Sequence, residues 1–197
     1  MEAGLNEHGL AVGLNFLMTK TYRPGLNTGF VIRLILENCK TTKEAIELIK
    51  SVPLCSTQNF ILADKSGSLA VVEASPERTA VRESDTFLVS ANHFIAEKML
   101  CQHNNPEENW YASKDRYETA FSALSHEGEK NLAFAEELLS GKKGFICQYP
   151  KKLNFETLWS SIYDIKNGKV YRAEGNPYKT RYKEDTRLAW GISKKQK

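Results

Sequence analysis

Long apolar runs are missing from this sequence of 197 residues, and no stretch approaches the roughly 20 apolar residues that span a bilayer. The first residues show no basic segment followed by an apolar segment, so no secretory signal and no membrane partner are predicted. No glycine-rich phosphate loop, internal repeat or low-complexity segment occurs. These absences argue against a membrane-spanning protein, a repeat protein and a P-loop nucleotide-binding protein.

A continuous basic patch is also missing. The net charge is +3, and the only dense basic runs are Lys142-Lys143, Lys151-Lys152 and the tail from Lys194 to Lys197. A nucleic-acid surface needs clustered basic residues, so no nucleic-acid partner is predicted. With 41% hydrophobic and 26% charged residues, the composition is that of a globular protein. The length favours a single domain covering residues 1–197.

Cysteine is sparse, and no two cysteines form a CxxC pair; the four are Cys39, Cys55, Cys101 and Cys147. Each lies in or beside an apolar run, which predicts reduced thiols in a cytoplasmic protein rather than a disulfide framework. Cys101 has His103 two residues away and His93 upstream. A Cys/His dyad needs spatial contact that spacing does not establish, and C-x-H is a weak zinc pattern. No metal or cofactor is predicted.

Hydrophobic periodicity predicts helices and strands in separate parts of the chain. A buried strand is predicted at residues 9–17 and a helix at 28–39. A second helix begins at Thr41, which forms a capping box with Glu44, and ends before Pro53. These two helices therefore follow the first strand directly.

The remaining chain is richer in strands. A hairpin is predicted at residues 59–64 and 69–73, further strands at 79–82 and 86–91, helices at 113–124 and 131–140, and strands at 156–165 and 169–174. Asn167-Gly168 joins the last two and predicts a type I′ turn. Antiparallel strands with segregated helices indicate α+β layers, not a parallel βαβ sheet.

Five segments occur in an order that resembles one branch of the N-terminal-nucleophile (Ntn) hydrolases. They are GLNEHGLAVGLN at 4–15, NFILAD and VVE at 59–73, ANHF at 91–94, SKDRY at 113–117, and TLWS through GNP at 157–177. The branch comprises choloylglycine hydrolases, penicillin V acylases and acyl-coenzyme A:6-aminopenicillanic acid acyltransferases. The resemblance covers nearly the whole chain.

The resemblance implies an Ntn-type αββα sandwich, in which two antiparallel sheets are flanked by helices. It also implies hydrolysis of, or acyl transfer from, the C–N bond of a small N-acyl amide, with an N-terminal cysteine as nucleophile and its own α-amine as base. Carried over by position, Asn15 supplies a main-chain N–H to the oxyanion hole and Asn92 a side-chain amide. Arg116 lies near the nucleophile. From residue type alone, each asparagine also suits a turn or strand end, and Arg116 a helix surface.

The sequence departs from the family pattern at its beginning. In the family the nucleophile precedes the G-x-N-E segment, whereas here no cysteine occurs before Cys39. We therefore expect an N-terminally truncated fold, the C-terminal two-thirds of an Ntn hydrolase, that is inactive alone or completed by a separate upstream chain. The alternative is a non-catalytic paralogue that binds an acyl ligand or a partner chain. Sheet surface exposed by truncation would favour a homodimer.

Overall fold

Five antiparallel strands, hydrogen-bonded in chain order, form the sheet of the N-terminal part of the chain. They are β1 (Ala3–Leu5), β2 (Ala11–Phe16), β3 (Gln58–Ala63), β4 (Leu69–Ala74) and β5 (Thr79–Ser84). The structure is a computed structural model that describes residues 2–18, 20–102 and 109–188. The chain divides into a first unit, up to Lys114, and a second unit, from Asp115 onward.

Two helices, α1 (Thr28–Asn38) and α2 (Thr42–Ser51), pack on one face of this sheet. Successive strand residues point to opposite faces, and the even-numbered residues of β2, β3 and β4 face the helices. The buried cluster between them contains Leu10, Val12, Val31, Ile32, Ile35, Cys39, Ala45, Ile46, Ile49, Leu54, Phe60, Leu62, Ala70, Val72 and Ala74. The two predicted helices and the predicted first hairpin are confirmed.

Polar side chains determine where both helices begin. Asn27 caps α1 by accepting a hydrogen bond from the N–H of Gly29 at 2.9 Å. Thr41 caps α2 by accepting from the N–H of Glu44 at 3.2 Å. The Glu44 carboxylate reaches back to the N–H of Lys40 at 2.6 Å, one residue earlier than the standard capping box requires. The predicted start of α2 is therefore correct.

The buried carboxylate of Asp64 joins the β3–β4 turn to the first turn of α2. Its Oδ2 accepts from the N–H of Thr42 at 2.7 Å, and its Oδ1 accepts from the N–H of Ser66 at 2.8 Å and from the Ser66 hydroxyl. Burial alone would raise the pKa of Asp64, but the hydrogen bonds from Ser66 and Thr42 outweigh it and lower that pKa below 3.8.

Replacing Asp64 by asparagine is expected to lower the free energy of unfolding by about 1.5–3 kcal/mol at pH 7, because the bonds lost involve a charged acceptor. The folded pKa lies below the unfolded one, so this stabilisation is complete above about pH 4 and is lost as the pH falls through the folded value. Urea unfolding at pH 7 and pH 3 should show the difference from wild type shrinking. An equal difference at both pH values would contradict this, and exposed Asp85→Asn is the control.

Residues 86–91 form no strand, and the strand predicted there is wrong. Side chains hold this segment instead: Arg82 donates to the carbonyl of Val89 at 3.1 Å, and Ser90 donates from Oγ to Oδ1 of Asn15 at 2.6 Å. The chain continues through a loop, residues 91–96, into the short helix α3 (Glu97–Leu100). Phe94 and Met99 pack with Leu17 and Ala80 in a second apolar cluster.

The second unit has a three-stranded antiparallel sheet, β6 (Ser160–Asp164), β7 (Lys169–Ala173) and β8 (Lys183–Glu184), in that order. Helix α4 (Ser113–Ser125) begins at the boundary between the units, and α5 (Leu132–Leu139) follows it. Both units are thus of the predicted α+β class. Within the described ranges, no helix combines the length and apolar character needed to cross a bilayer. The single domain of residues 1–197 stays a prediction.

The β6–β7 hairpin has a longer turn than predicted. Asp164 pairs with Lys169, so four residues form the turn, and of these only Gly168 has a positive φ, 66°. Oδ1 of Asp164 accepts from the N–H of Asn167 at 3.1 Å and keeps Asn167 in an ordinary conformation. A type I′ turn needs positive φ at both central residues, so that prediction is wrong.

Candidate oxyanion site

Three polar residues, Asn15, Asn59 and Glu73, stand directly opposite one another on β2, β3 and β4. Side chains of directly paired residues point to the same face of a sheet, here the face away from α1 and α2. Asn59 and Glu73 are completely buried, and Asn15 is half-buried. We call these three residues the polar row.

The loop that follows β5 crosses the polar row and is bonded to it. Nδ2 of Asn59 donates to the carbonyl of Ala91 and to the carbonyl of His93, each at 2.9 Å. With the Ser90–Asn15 bond, the row holds residues 90–93 through side chains on two strands. Asn92 lies between the two carbonyls that Asn59 binds.

Asn92 reaches the end of β2. Its Nδ2 donates to the carbonyl of Phe16 at 2.7 Å, one residue beyond Asn15. Along β2, the ladder with β1 covers residues 11–13, so within the described residues β3 alone pairs with residues 14–16. The structure therefore brings the two asparagines predicted for the oxyanion hole to the same end of β2.

Glu73 is the charged member of the row, and its charge is balanced by Arg82. Nε of Arg82 lies 2.7 Å from Oε1 of Glu73. The carboxylate also accepts from the N–H of Ile95 at 3.1 and 3.0 Å and from the N–H of Ala96 at 3.0 Å. A buried carboxylate needs such partners, because an uncompensated charge in the interior is costly. The row thus presents amide groups beside a neutralised ion pair.

A further contact joins the same loop to the start of α4. Nδ1 of His93 lies 2.7 Å from Oγ of Ser113. Ser113 belongs to the first unit and is 2% exposed, so its hydroxyl is shielded from a substrate and the contact holds the loop rather than forming a nucleophilic pair.

Two of the four cysteines, Cys39 and Cys147, are buried and make poor nucleophiles. Burial, with a smaller contribution from the Glu44 carboxylate, raises the pKa of the Cys39 thiol, and burial also raises the pKa of Cys147. Thiolate is the attacking form, so both thiols are disfavoured. Cys101 is exposed and contacts Arg78 at 3.6 Å. Its predicted histidine neighbour, His103, lies outside the described residues.

Within residues 2–18, 20–102 and 109–188, no three His, Cys, Asp or Glu side chains form a group suited to a metal ion. Arg116, the third residue predicted for the site, is a half-buried residue of α4 in the second unit. Asn15 and Asn92 belong to the first unit. The role of Arg116 beside the nucleophile stays a prediction.

Sequence reasoning missed Asn59 and Glu73, although both stand inside segments that carry the family resemblance. A signal was present: each is a strongly polar residue beside a run of apolar residues, in β3 (QNFILA) and in β4 (LAVVEA). A polar group in such a position must find a partner when it is buried. Their partners are loop carbonyls and amides 22 to 34 residues away, which no local pattern reveals.

Comparison with known proteins identifies the family and the fold. Residues 1–179 match the model of the family described as acyl-coenzyme A:6-aminopenicillanic acid acyl-transferase. A search of curated protein sequences gave no significant match. Among solved structures, penicillin V acylase from Agrobacterium tumefaciens superposes with a TM-score of 0.62 at 19% identity, covering 88% of this chain and 62% of the acylase. This chain thus spans less than two thirds of that enzyme's length.

Two variants of conjugated bile acid hydrolase from Clostridium perfringens superpose with TM-scores of 0.67 and 0.60, each at 13% identity. Each match covers 94% of this chain, and 72% and 76% of the respective hydrolase. At such identities the likeness establishes the fold. The fold is therefore that of the Ntn hydrolases. By its family match, the chain belongs to the acyl-coenzyme A:6-aminopenicillanic acid acyl-transferase family.

Proposed function

We propose that this chain supplies the oxyanion-stabilising part of an Ntn cysteine amidase or acyltransferase that acts on small N-acyl amides. The observation that supports this most directly is the placement of Asn92, whose amide is held against the end of β2 one residue beyond Asn15. The family match and the acylase and hydrolase folds support the reaction class.

In the proposed reaction, a thiolate attacks the amide carbonyl carbon and forms a C–S bond, while the carbonyl electrons move to oxygen. The Asn92 amide and the main-chain N–H of Asn15 donate to that oxyanion, each contributing about 3 kcal/mol by comparison with known oxyanion holes. The intermediate collapses, the C–N bond breaks, and the leaving amine takes the proton that the nucleophile's own α-amine had removed from the thiol. Water, or an acceptor amine, then cleaves the thioester.

The attacking thiol is proposed to lie outside these residues, in a preceding segment that is either continuous with this chain or separate from it. The raised pKa values of Cys39 and Cys147 support this. Arg116 is proposed to lie beside that thiol and to stabilise its charge.

An assay with penicillin V and simple N-acyl amino acids tests the proposal. The 197-residue chain alone is expected to show no turnover. Turnover is expected once a nucleophile-bearing upstream segment is fused or added, and iodoacetamide should abolish it. Absence of turnover in every combination would contradict the proposal. Turnover by the chain alone that is lost on alkylation would assign the nucleophile to one of its own cysteines.

A non-catalytic binding role is the second candidate, and the unfavourable environment of the buried thiols supports it. This candidate predicts that penicillin V or an N-acyl amide binds the chain, as measured by calorimetry. It further predicts that turnover stays absent when the upstream segment is present. Binding without turnover under both conditions would favour it over the enzyme.

We also propose that the chain forms a homodimer in the cytoplasm. Exposed apolar side chains in the first unit support self-association: Phe16, Met18, Tyr22 and Phe30. Four free thiols support a reducing compartment. Light scattering is expected to give twice the mass of one chain, 22.3 kDa. A strictly monomeric mass in dilute solution would contradict the dimer.

A further inference from the structure

We propose that Asn59 is a positioning residue that fixes Asn92 in the orientation needed to stabilise the oxyanion; this rests on the proposed function. Asn59 touches no reacting atom in that scheme. It acts through the loop, because its amide group donates to the carbonyls on both sides of Asn92, at Ala91 and at His93.

The geometry of these two bonds restrains Asn92 strongly. The Ala91 carbonyl belongs to the peptide group before Asn92, and the His93 carbonyl belongs to the second peptide group after it. Both accept from one nitrogen atom, Nδ2 of Asn59, each at 2.9 Å. Asn59 is fully buried on β3, an interior strand of the five-stranded sheet. One rigid anchor therefore restricts the backbone torsions of the residue between the two carbonyls.

A second anchor lies next to the first. Glu73, the direct cross-strand partner of Asn59, accepts hydrogen bonds from the N–H groups of Ile95 and Ala96. The two side chains have complementary roles: Asn59 binds carbonyls before and after Asn92, and Glu73 binds amides just beyond. Residues 91–96 belong to no strand, so these bonds replace the ladder that would otherwise fix the loop.

This arrangement has a consequence for rate rather than for substrate affinity. The Asn92 amide must lie within hydrogen-bond reach of the oxygen that becomes negative in the transition state. A displacement of about 1 Å can cost about 100-fold in rate. Loss of the Asn59 bonds should therefore lower kcat while leaving KM nearly unchanged. The position of the Asn92 amide affects the energy of the transition state, in which the oxyanion forms, more than the binding of substrate.

A plain structural role for Asn59 makes a different prediction, and Gln58 provides the matched control. Gln58 is the preceding residue on β3, is equally buried, and also carries an amide. It points to the opposite face, where its Oε1 accepts from the hydroxyls of Thr28 and Ser56 at 2.7 and 3.2 Å. Replacing it removes a buried amide without touching a bond to the loop.

The experiment compares Asn59→Leu with Gln58→Leu in the full chain labelled with ¹⁵N. The side-chain amide resonances of Asn92 are assigned by their loss in Asn92→Asp. In Asn59→Leu they are expected to move to the shifts of a solvated asparagine and to exchange with water about 10-fold faster or more. In Gln58→Leu they are expected to stay in place. Asn59→Ser, a milder change with one donor, should give an intermediate shift.

The kinetic arm uses the protein supplied with its nucleophile-bearing segment. Asn59→Leu is expected to lower kcat about 10- to 100-fold with KM within about threefold of wild type. Gln58→Leu should change neither kcat nor KM by more than about threefold.

Unchanged Asn92 resonances in folded Asn59→Leu would overturn the proposal, and so would an equal change in Gln58→Leu, which would indicate general loosening. A wild-type protein that shows no turnover in any combination counts against the proposed function. In that event the resonance comparison still decides whether Asn59 holds Asn92.

Discussion

Replacement of Glu73 by alanine is expected to lower the free energy of unfolding by about 3–5 kcal/mol, as is typical when one partner of a buried ion pair is removed. The Glu73 side chain is fully buried, and that of Arg82 is 19% exposed. The change leaves the Arg82 charge without its carboxylate and deprives the N–H groups of Ile95 and Ala96 of their acceptor. Urea unfolding followed by circular dichroism measures the loss.

Two further variants separate charge from burial. Glu83→Ala, at an exposed position on β5, should change stability by no more than about 0.5 kcal/mol. The double variant Glu73→Leu with Arg82→Leu should lose less than Glu73→Ala, because no uncompensated charge remains. A loss below about 1 kcal/mol in Glu73→Ala would show that the ion pair contributes little to the fold.

Replacement of Asn92 by alanine is expected to lower kcat about 100- to 1000-fold in the protein supplied with its nucleophile, with little change in KM. The physical reason is that the donor acts on charge that develops only in the transition state, so its removal leaves substrate binding intact. Steady-state kinetics on penicillin V provide the measurement. A kcat within threefold of wild type would remove Asn92 from the oxyanion site.

A loss of folding stability in Asn92→Ala should not account for the lower kcat. The Asn92 side chain donates to the Phe16 carbonyl at the exposed end of β2, and loss of one such bond should cost about 1 kcal/mol. Asn38→Ala is a suitable control, because the Asn38 amide donates to the Leu34 carbonyl at the exposed end of α1. That variant loses a similar bond and should retain its kcat.

Local signals predicted the first part of the fold well. The start of α2 follows from Thr41 and Glu44, which lie three residues apart, and the helical period of residues 28–39 matches α1. Residues 86–91 show why such signals fail elsewhere. Their composition favours a strand, but Arg82 and Asn15 supply the bonds that a neighbouring strand would have supplied. Pairing of this kind depends on tertiary contacts, which override local propensity.

The candidate site was predictable only in part. Asn15 and Asn92 were suggested by family resemblance, and the structure places them at one end of β2. Asn59 and Glu73 carry no motif of their own, and their roles appear only when β2, β3 and β4 are paired. The type I′ turn predicted at Asn167-Gly168 is wrong for a similar reason, because the Asp164 side chain binds the N–H of Asn167 in a longer turn. Side-chain bonds to the main chain account for each of these differences.

The polar row also bears on how the sheet finds its correct pairing during folding. A shift of β4 by one residue against β3 would turn Glu73 away from Arg82 and toward the apolar cluster under α1 and α2, whose members are uncharged. The misaligned sheet would bury a carboxylate without its partners Arg82, Ile95 and Ala96, and would be strongly disfavoured. The same carboxylate that holds the loop thus discriminates against misregistered folding intermediates, so a mutation of Glu73 should reduce the yield of folded protein as well as its activity.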